Sequence, residues 1–228
     1  MKRGKIIAIE GSDFSGKATQ KDLIYRRLKN EGVKVERDTF PKYESPTGRI
    51  IEGPLQGKQR YGESFFPEGP GNVPQEVAIH YYIADRVYNR HIMDEALENG
   101  DVLILDRYVD SNMAHQGGKI SEPEKRKKFY KWLEDLEYNK ANLPKPDMTL
   151  FLYVPFEKTL ELKGSYTEES YDALEKDKKY LEQSINAYLQ LAEMYDHWQK
   201  IDCVNEKGEM KSREEIHENV YKAVKDVL

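Results

Sequence analysis

The residues best suited to chemistry lie near the N-terminus, in a short segment with two glycines. Residues 11–17 read G-S-D-F-S-G-K, which has the G-x-x-x-x-G-K spacing of a phosphate-binding loop. Glycines let several backbone N–H groups point at one anion, and the N-terminus of the following helix adds its dipole. Lys17 adds a mobile positive charge for the β- and γ-phosphates. The segment therefore predicts a triphosphate site, which we assign to Gly11, Ser12, Asp13, Phe14, Ser15, Gly16, Lys17, Ala18 and Thr19.

One position of this loop departs from the usual pattern. Ala18 stands where a Ser or Thr normally presents its hydroxyl to Mg²⁺. Thr19 follows, but one step along a helix rotates a side chain by about 100°, so Thr19 is better placed to reach a phosphate oxygen. The ion must then be held mostly by phosphates, waters and carboxylates, as Mg²⁺ commonly is. The departure argues against an ordinary GTPase or motor ATPase, and it leaves phosphate binding unaffected.

A second group of polar residues follows the apolar run at 102–105. Asp106 ends this run, and we expect its carboxylate to face the Mg²⁺ region across from the loop, with water between. Arg107 has a planar guanidinium that suits a phosphate. An ion pair between neighbours at the end of a strand is the structural alternative, and for these two residues taken alone it is the better interpretation.

Short apolar runs alternate with longer amphipathic stretches, which is typical of βαβ units. We predict an α/β, three-layer P-loop kinase fold, with a parallel sheet of about five strands, helices on both faces and a small lid. The predicted strands are 5–10, 33–40, 101–106, 148–154 and 200–204. The predicted helical features are a helix to about Asn30, one continuous helix over 74–100, a helix from Pro155, a long helix from Leu174 to Trp198, and capping boxes at Ser121/Glu124 and Ser212/Glu215.

Composition limits the possible classes of protein. The 228 residues include 36 Lys and Arg against 41 Asp and Glu, a net charge of −5, which argues against a protein that mainly binds nucleic acid. No apolar run approaches the roughly 20 residues of a membrane span, and the N-terminal run is too short for a signal peptide. Cys203 is the only cysteine, which fits a reducing compartment. We expect one domain over residues 1–228 and a cytoplasmic location.

The stretch from Asp106 to Gly118 resembles a specific family. It reads D-R-Y-V-D-S-N-M-A-H-Q-G-G and is similar to the D-R-[YH]-x-x-S-x-x-A-[YF]-Q-G stretch of thymidylate kinases. Phe40-Pro41, Tyr82 to Arg86, Leu143 to Asp147 and the segment 174–192 resemble family segments in the same order. The resemblance covers nearly the whole chain. The phosphate-binding loop alone is generic, whereas the 106–118 block is specific.

The resemblance implies transfer of the γ-phosphoryl group of ATP, with Mg²⁺, to the 5′-phosphate of dTMP, and it implies a homodimer. Lys17, Asp106, Arg107 and Lys163 would be the catalytic group, with Arg107 on the acceptor phosphate. Tyr82 would stack on thymine and Arg86 would donate to a thymine carbonyl, although a core position for Tyr82 and a surface ion pair of Arg86 with Asp85 or Glu10 are the alternatives. The remaining dTMP residues implied are Asp13, for the sugar 3′-hydroxyl, together with Phe40, Lys42, Ser111 and Gln116.

Three positions depart from the family pattern. Phe14 stands where some members carry a basic residue, and the lid candidate at 159–172 has no arginine. Lys163 is its one lysine and becomes the candidate cation for the transferred group. His115 replaces an aromatic residue beside Gln116. The base expected after Phe40-Pro41 is Lys42 or, with a one-residue insertion, Arg49.

Two other functions stay open on the sequence. A deoxynucleoside kinase acts on a bare 5′-hydroxyl and needs a general base beside it, whereas Asp106-Arg107 fits a phosphorylated acceptor better. A nucleotide-binding sensor that has lost catalysis is favoured by Ala18 and by the arginine-poor lid. Turnover of thymidine but not of dTMP would identify the deoxynucleoside kinase. Nucleotide binding without turnover would identify the sensor.

Overall fold

The computed structural model describes residues 3–57, 64–164 and 178–228. Five parallel strands form one sheet in the order β2-β3-β1-β4-β5. The strands are β1 (Lys5–Glu10), β2 (Val35–Thr39), β3 (Val102–Asp106), β4 (Met148–Tyr153) and β5 (Trp198–Asp202). The predicted fold class and strand number are confirmed, and β5 lies two residues earlier than predicted.

The helices cover both faces of this sheet. They are α1 (Lys17–Asn30), α2 (Pro46–Ile50), α3 (Gln75–Tyr88), α4 (Arg90–Asn99), α5 (Val109–Gly118), α6 (Pro123–Glu134), α7 (Phe156–Gly164), α8 (Lys178–Met194) and α9 (Arg213–Lys225). Two segments are π-helical, Ile51–Leu55 and Asp135–Lys140, and Pro70–Asn72 is a 3₁₀ turn. No helix in the described ranges is long and apolar enough to cross a membrane.

The core has two halves because side chains alternate along the strands. Ile6 and Ala8 of β1 pack on the side of α3, α5 and α8, whereas Ile7 and Ile9 pack on the side of α1 and α9. All four side chains are fully buried. The central strand is therefore apolar on both faces, which is expected of a parallel sheet with helices on each side.

The register of the sheet decides where the polar strand ends meet. Ile9 of β1 is paired with Asp106 of β3, and the N–H of Arg107 donates to the carbonyl of Ile9 at 3.1 Å. The carboxyl ends of β1 and β3 are thus adjacent at one edge of the sheet. The two polar groups found in the sequence lie next to each other for this reason.

Three predictions about helices were wrong. The helix over 74–100 is two helices, because the Asn89 side chain donates to the Asp85 carbonyl at 2.8 Å and its backbone leaves the helical region. Ser121 caps no helix, since α6 begins at Pro123, whose fixed φ favours the first helical position. Trp198 belongs to β5 and not to α8, although it is buried as its spacing indicated.

Two further predictions have different outcomes. The capping box of Ser212 and Glu215 is confirmed: the Glu215 N–H donates to Ser212 Oγ at 3.1 Å, and the Ser212 N–H donates to Glu215 Oε2 at 2.7 Å. The lid predicted at 159–172 begins inside α7 with residues 159–164, and its remainder lies outside the described residues, as does Leu174.

Candidate active site

The phosphate-binding loop connects β1 to α1, as predicted. Gly11 has a φ of 151°, and a Cβ there would lie 2.7 Å from the Leu152 carbonyl oxygen, so no other residue fits. Gly16 precedes α1 with a φ of 85°, and Phe14 has a φ of 65°. The hydroxyls of Ser12 and Ser15 are buried without a hydrogen-bond partner among the described residues. Gly11 and Gly16 supply the backbone freedom that the curl requires.

Lys17 is the buried cation of this loop. Its Nζ donates to the Ser12 carbonyl at 2.7 Å and lies 3.9 Å from Asp13 Oδ1. Burial, and secondarily repulsion from Arg107, lower the pKa of Lys17 to about 8. A bound phosphate would oppose this shift by supplying negative charge at the ammonium group.

A cavity of about 280 Å³ opens beside the loop, and we call it the donor cavity. Asp13, Phe14, Gly16, Lys17, Ala18 and Thr19 line it, together with Asp106 and Arg107 of the second group. The Asp106 carboxylate is 3.9 Å from Lys21 Nζ. The described residues hold no cluster of three metal-ligating side chains. One carboxylate beside a phosphate cradle still fits Mg²⁺, which keeps waters and takes substrate phosphates as ligands.

A second cavity of about 270 Å³, the acceptor cavity, adjoins the first. Seven predicted residues line it, and six of them are Asp13, Phe40, Tyr82, Arg86, Arg107 and Ser111. The seventh is Gln116, whose Oε1 is buried and without a partner among the described residues. The cavity is also lined by His115, which the sequence analysis placed beside Gln116, and by side chains to which it gave no role: Tyr43, Gln56, Tyr108, Asn112 and Tyr180.

Arg107 and Asp13 line both cavities. Arg107 has a φ of 65°, which is uncommon for a side-chain-bearing residue. Its Nη2 donates to Asp13 Oδ1, and its Nη1 bonds to His115 Nε2 at 2.9 Å. The guanidinium therefore stands at the junction of the two cavities, where the transferred group of one ligand would meet the phosphate of another.

The Tyr82 ring is part of the cavity wall and is half-buried against the small cluster that contains Ile51 and Val73. Its hydroxyl accepts a hydrogen bond from Gln56 Nε2 at 3.1 Å, and Tyr43 donates to Gln56 Oε1 at 3.1 Å. These bonds hold the Tyr82 hydroxyl in place. Core packing and a role in the cavity, the two interpretations of Tyr82, are thus both compatible with its position.

Arg86 is not on the surface, and its partner is neither Asp85 nor Glu10. It is 3% exposed and bonds to the fully buried Glu137 through Nε at 2.8 Å and through Nη2. The same Glu137 Oε1 accepts from Asn112 Nδ2 at 3.0 Å. Arg86 Nη1 makes no hydrogen bond within the described residues, and Asn112 Oδ1 is buried without a partner there. A donor and an acceptor are thus left at the cavity wall.

The Glu10 carboxylate accepts four hydrogen bonds from other residues of the protein. It accepts from the backbone N–H groups of Tyr108 (2.7 Å) and Ser111 (3.1 Å), from Ser111 Oγ (2.5 Å) and from Tyr188 Oη (2.9 Å). Burial raises the pKa of Glu10. The Ser111 hydroxyl therefore bonds to Glu10, and Ser111 faces the acceptor cavity without an unused hydroxyl proton.

Three candidate cations are not brought into either cavity. Lys42 Nζ donates to both oxygens of Asp38, and its N–H donates to Asp85 at 2.8 Å. Arg49 lies on α2 with an exposed side chain, and Lys163 is half-buried near the end of α7. None of the three is among the lining residues of the two cavities.

Among the residues that the sequence analysis missed, Asn112 carried a usable signal. It lies four residues before Gln116 on α5, so both side chains share one helix face. Gln56 directly follows a π-helical segment, and Tyr180 reaches His115 from α8, 65 residues away. These two contacts depend on the tertiary fold and have no local pattern.

The fold and the paired cavities define a P-loop nucleotide kinase. The sheet has five parallel strands, a phosphate-binding loop connects β1 to α1, and Arg107 lines both the donor cavity and the acceptor cavity. The solved structure of thymidylate kinase from Candida albicans has the same fold, with a TM-score of 0.74, 22% identity, and coverage of 98% of this chain and 92% of that one.

The sequence comparisons are more specific. The profile of the thymidylate kinase family matches residues 9–216. The chain is 32% identical to the thymidylate kinase of Halothermothrix orenii, over 99% of each chain, and 29% identical to that of Plasmodium falciparum, over 98% of this chain and 90% of the other. The chain belongs to the thymidylate kinase family.

Proposed function

We propose that this chain transfers the γ-phosphoryl group of ATP to the 5′-phosphate of dTMP, giving dTDP and ADP. Membership of the family supports the reaction, and one observation of the site carries it: Arg107 lines both cavities, so one guanidinium can contact phosphates of the two nucleotides. Such a reaction needs positioning and charge neutralisation, and little covalent work by the protein.

The donor cavity would hold ATP. The loop amides and Lys17 would bind its β- and γ-phosphates, and Thr19 would contact a phosphate oxygen. Mg²⁺, bound mainly by phosphates and water, would be oriented by Asp106 through a water molecule; the ion supplies charge neutralisation at the phosphates. The proposal is supported by Lys17, Thr19 and Asp106 lining one cavity.

The acceptor cavity would hold dTMP. The Tyr82 ring would stack on the base, with Phe40, Ser111 and Gln116 completing the wall, and Asp13 would accept from the 3′-hydroxyl. Thymine presents a carbonyl at C4 and an N–H at N3. These groups complement the unused donor Arg86 Nη1 and the unused acceptor Asn112 Oδ1.

The deoxynucleoside kinase alternative requires a carboxylate that can take a proton from a 5′-hydroxyl. Glu10 already accepts four hydrogen bonds and lines neither cavity. Asp13 is the only carboxylate that lines the acceptor cavity within the described ranges, and it is paired with Arg107. A phosphorylated acceptor therefore fits the site better than a bare hydroxyl.

Two cations of the site remain proposals. Lys42 would contact the acceptor phosphate, which is supported by its neighbours Pro41 and Tyr43 lining both cavities. Lys163 would neutralise charge on the transferred group from the lid at 159–172. A Lys163→Ala variant should turn over more slowly, and Lys158→Ala, on the same helix and paired with Glu161, is the matched control. Equal turnover of the two variants would remove Lys163 from the mechanism.

The assembly and location are also proposals. The single-domain organisation over 1–228 is supported by one sheet that draws strands from the whole chain. A homodimer is supported by the family alone. A cytoplasmic location is supported by the single cysteine, which is buried and free.

The decisive experiment measures ADP formation from Mg-ATP with dTMP, dUMP, dCMP and thymidine. We expect dTMP to be the best acceptor and thymidine to give no turnover. Arg107→Ala should abolish most of the activity, whereas Arg90→Ala, which removes an arginine paired with Asp94 on α4, should not. Turnover of thymidine without dTMP would support the nucleoside kinase, and binding without turnover would support the sensor.

A further inference from the structure

Glu137 lies beneath the acceptor cavity without lining it. It belongs to the π-helical segment Asp135–Lys140 and is fully buried. Its carboxylate accepts from Arg86 Nε and Nη2 and from Asn112 Nδ2. Within the described residues, its side-chain hydrogen bonds therefore all go to two residues of the cavity wall.

These bonds decide which atoms Arg86 and Asn112 present to a ligand. A carboxylate only accepts hydrogen bonds, so the Asn112 amide must turn its NH₂ group toward Glu137. Its oxygen is then the atom left over, and this oxygen is buried without a partner among the described residues. Arg86, held by two nitrogens, keeps Nη1 as its remaining donor at the cavity wall.

We infer that Glu137 is a positioning residue that sets the base selectivity of the acceptor cavity, by fixing Asn112 as an acceptor beside the donor Arg86. This inference rests on the proposed function. A 4-keto pyrimidine satisfies both groups with its C4 carbonyl and its N3–H. Cytosine presents a 4-amino donor to Arg86 and an N3 acceptor to Asn112 Oδ1, so it leaves both buried groups unpaired.

The substitution Glu137→Gln tests this role. The introduced amide can still accept from Arg86, but its NH₂ group can donate to Asn112 Oδ1 and allow the Asn112 amide to rotate. We expect the ratio of kcat/KM for dTMP to that for dCMP to fall at least about tenfold, because a site that reads a base by hydrogen bonds loses selectivity when one of them reverses. The ratio is independent of how much enzyme is folded.

Asp110→Asn is the matched control. Asp110 is also a buried carboxyl, it lies on α5 two residues from Asn112 and so on the opposite side of the helix, and it accepts from Thr149 Oγ1 at 3.0 Å. It lines neither cavity. We expect its dTMP-to-dCMP ratio to stay within about twofold of wild type, even where its thermal midpoint falls.

A second variant guards against failure of Glu137→Gln to fold. Asn112→Ala leaves the ion pair of Arg86 and Glu137 in place and should lower the same ratio about tenfold, with no further fall when both substitutions are combined. An unchanged ratio in either single variant overturns the inference. Wild-type enzyme that uses neither dTMP nor dCMP refutes the proposed function, whereas wild-type turnover of dTMP with an unchanged variant ratio refutes the role of Glu137 alone.

Discussion

His115 is the residue whose substitution tests the geometry of the junction most directly. Its Nε2 lies 2.9 Å from Arg107 Nη1, and its Nδ1 lies 3.0 Å from Tyr180 Oη. Arg107 can only donate, so Nε2 must accept, and the ring proton is on Nδ1 and is donated to Tyr180. Burial, and secondarily Arg107, lower the pKa of His115 to about 3, so the acceptor is available at any working pH. We predict that His115→Phe loosens Arg107.

The magnitude follows from what phenylalanine keeps and what it removes. The His115 ring stacks on Tyr180 at 5.8 Å and meets Tyr188 edge-on at 5.7 Å, contacts that a phenyl ring retains. The hydrogen bond to the guanidinium is lost, and bonds to charged groups contribute about 1.5–3 kcal/mol. Arg107 keeps Asp13 and a long contact to Ser111 Oγ at 3.4 Å. Because these contacts remain, we expect a loss near the lower end of that range, about 1.5 kcal/mol, which is roughly tenfold in kcat/KM for dTMP.

The assay is steady-state ADP formation with each substrate varied in turn. The KM for ATP should rise less than the KM for dTMP, since His115 lines only the acceptor cavity and acts on the donor cavity only through Arg107. His115→Gln is the informative companion variant, because its amide oxygen can accept from Arg107. We expect it to recover most of the activity that His115→Phe loses.

Two results would refute this reasoning. A phenylalanine variant with wild-type kcat/KM for dTMP would mean that Asp13 alone orients Arg107. Equal losses in the glutamine and phenylalanine variants would mean that ring shape matters and the hydrogen bond does not. Thermal midpoints of both variants are needed beside the kinetics, so that a folding defect is separated from a defect in positioning.

Three further predictions concern the pKa of Lys17 and the stability of the fold. Because the pKa of Lys17 is lowered to about 8, ATP binding at higher pH must take up a proton; we expect its affinity to fall about eightfold between about pH 7.5 and pH 9, and calorimetry in buffers of different ionisation enthalpy would detect the proton. Ser212→Ala should lower the free energy of unfolding by about 1 kcal/mol in denaturant titrations without changing kcat. Gly117→Ala should cost about 2–3 kcal/mol because its Cβ would lie 2.4 Å from Tyr130 Cε1, whereas Gly164→Ala meets nothing within 4 Å and should be neutral or stabilising.

The parts of the fold that could be predicted are those with local signals. The P-loop is one contiguous segment, and its strand and helix flank it directly in the chain. The break at Asn89 could not be predicted in this way, because the Asn89 side chain also donates to Ser45, 44 residues away. The start of α6 was misplaced because Ser121 offered a cap and Pro123, two residues later, offered a better first position.

In the candidate site, too, the residues that could be predicted are those with local signals in the sequence. Residues of the P-loop and of the 106–118 block line the cavities, since each belongs to a single loop or helix at the sheet edge. The sequence analysis offered Asp85 or Glu10 as an ion-pair partner of Arg86. The partner in the structure is Glu137, which lies 51 residues away on a π-helical segment that no periodicity indicates. The pairing of buried charges depends on the tertiary fold, whereas the sequence shows only which residues carry a charge.

Glu10 illustrates why burial and bonding, and not residue type, assign a role to a carboxylate. A glutamate at the end of the strand that leads into a phosphate-binding loop is an obvious candidate for a general base. Here its four hydrogen bonds join β1 to α5, which lines the acceptor cavity, and to α8. A proton taken from a substrate would displace one of these donors. Glu10 therefore fixes the loop and α5 relative to each other, and with them the placement of the donor cavity relative to the acceptor cavity.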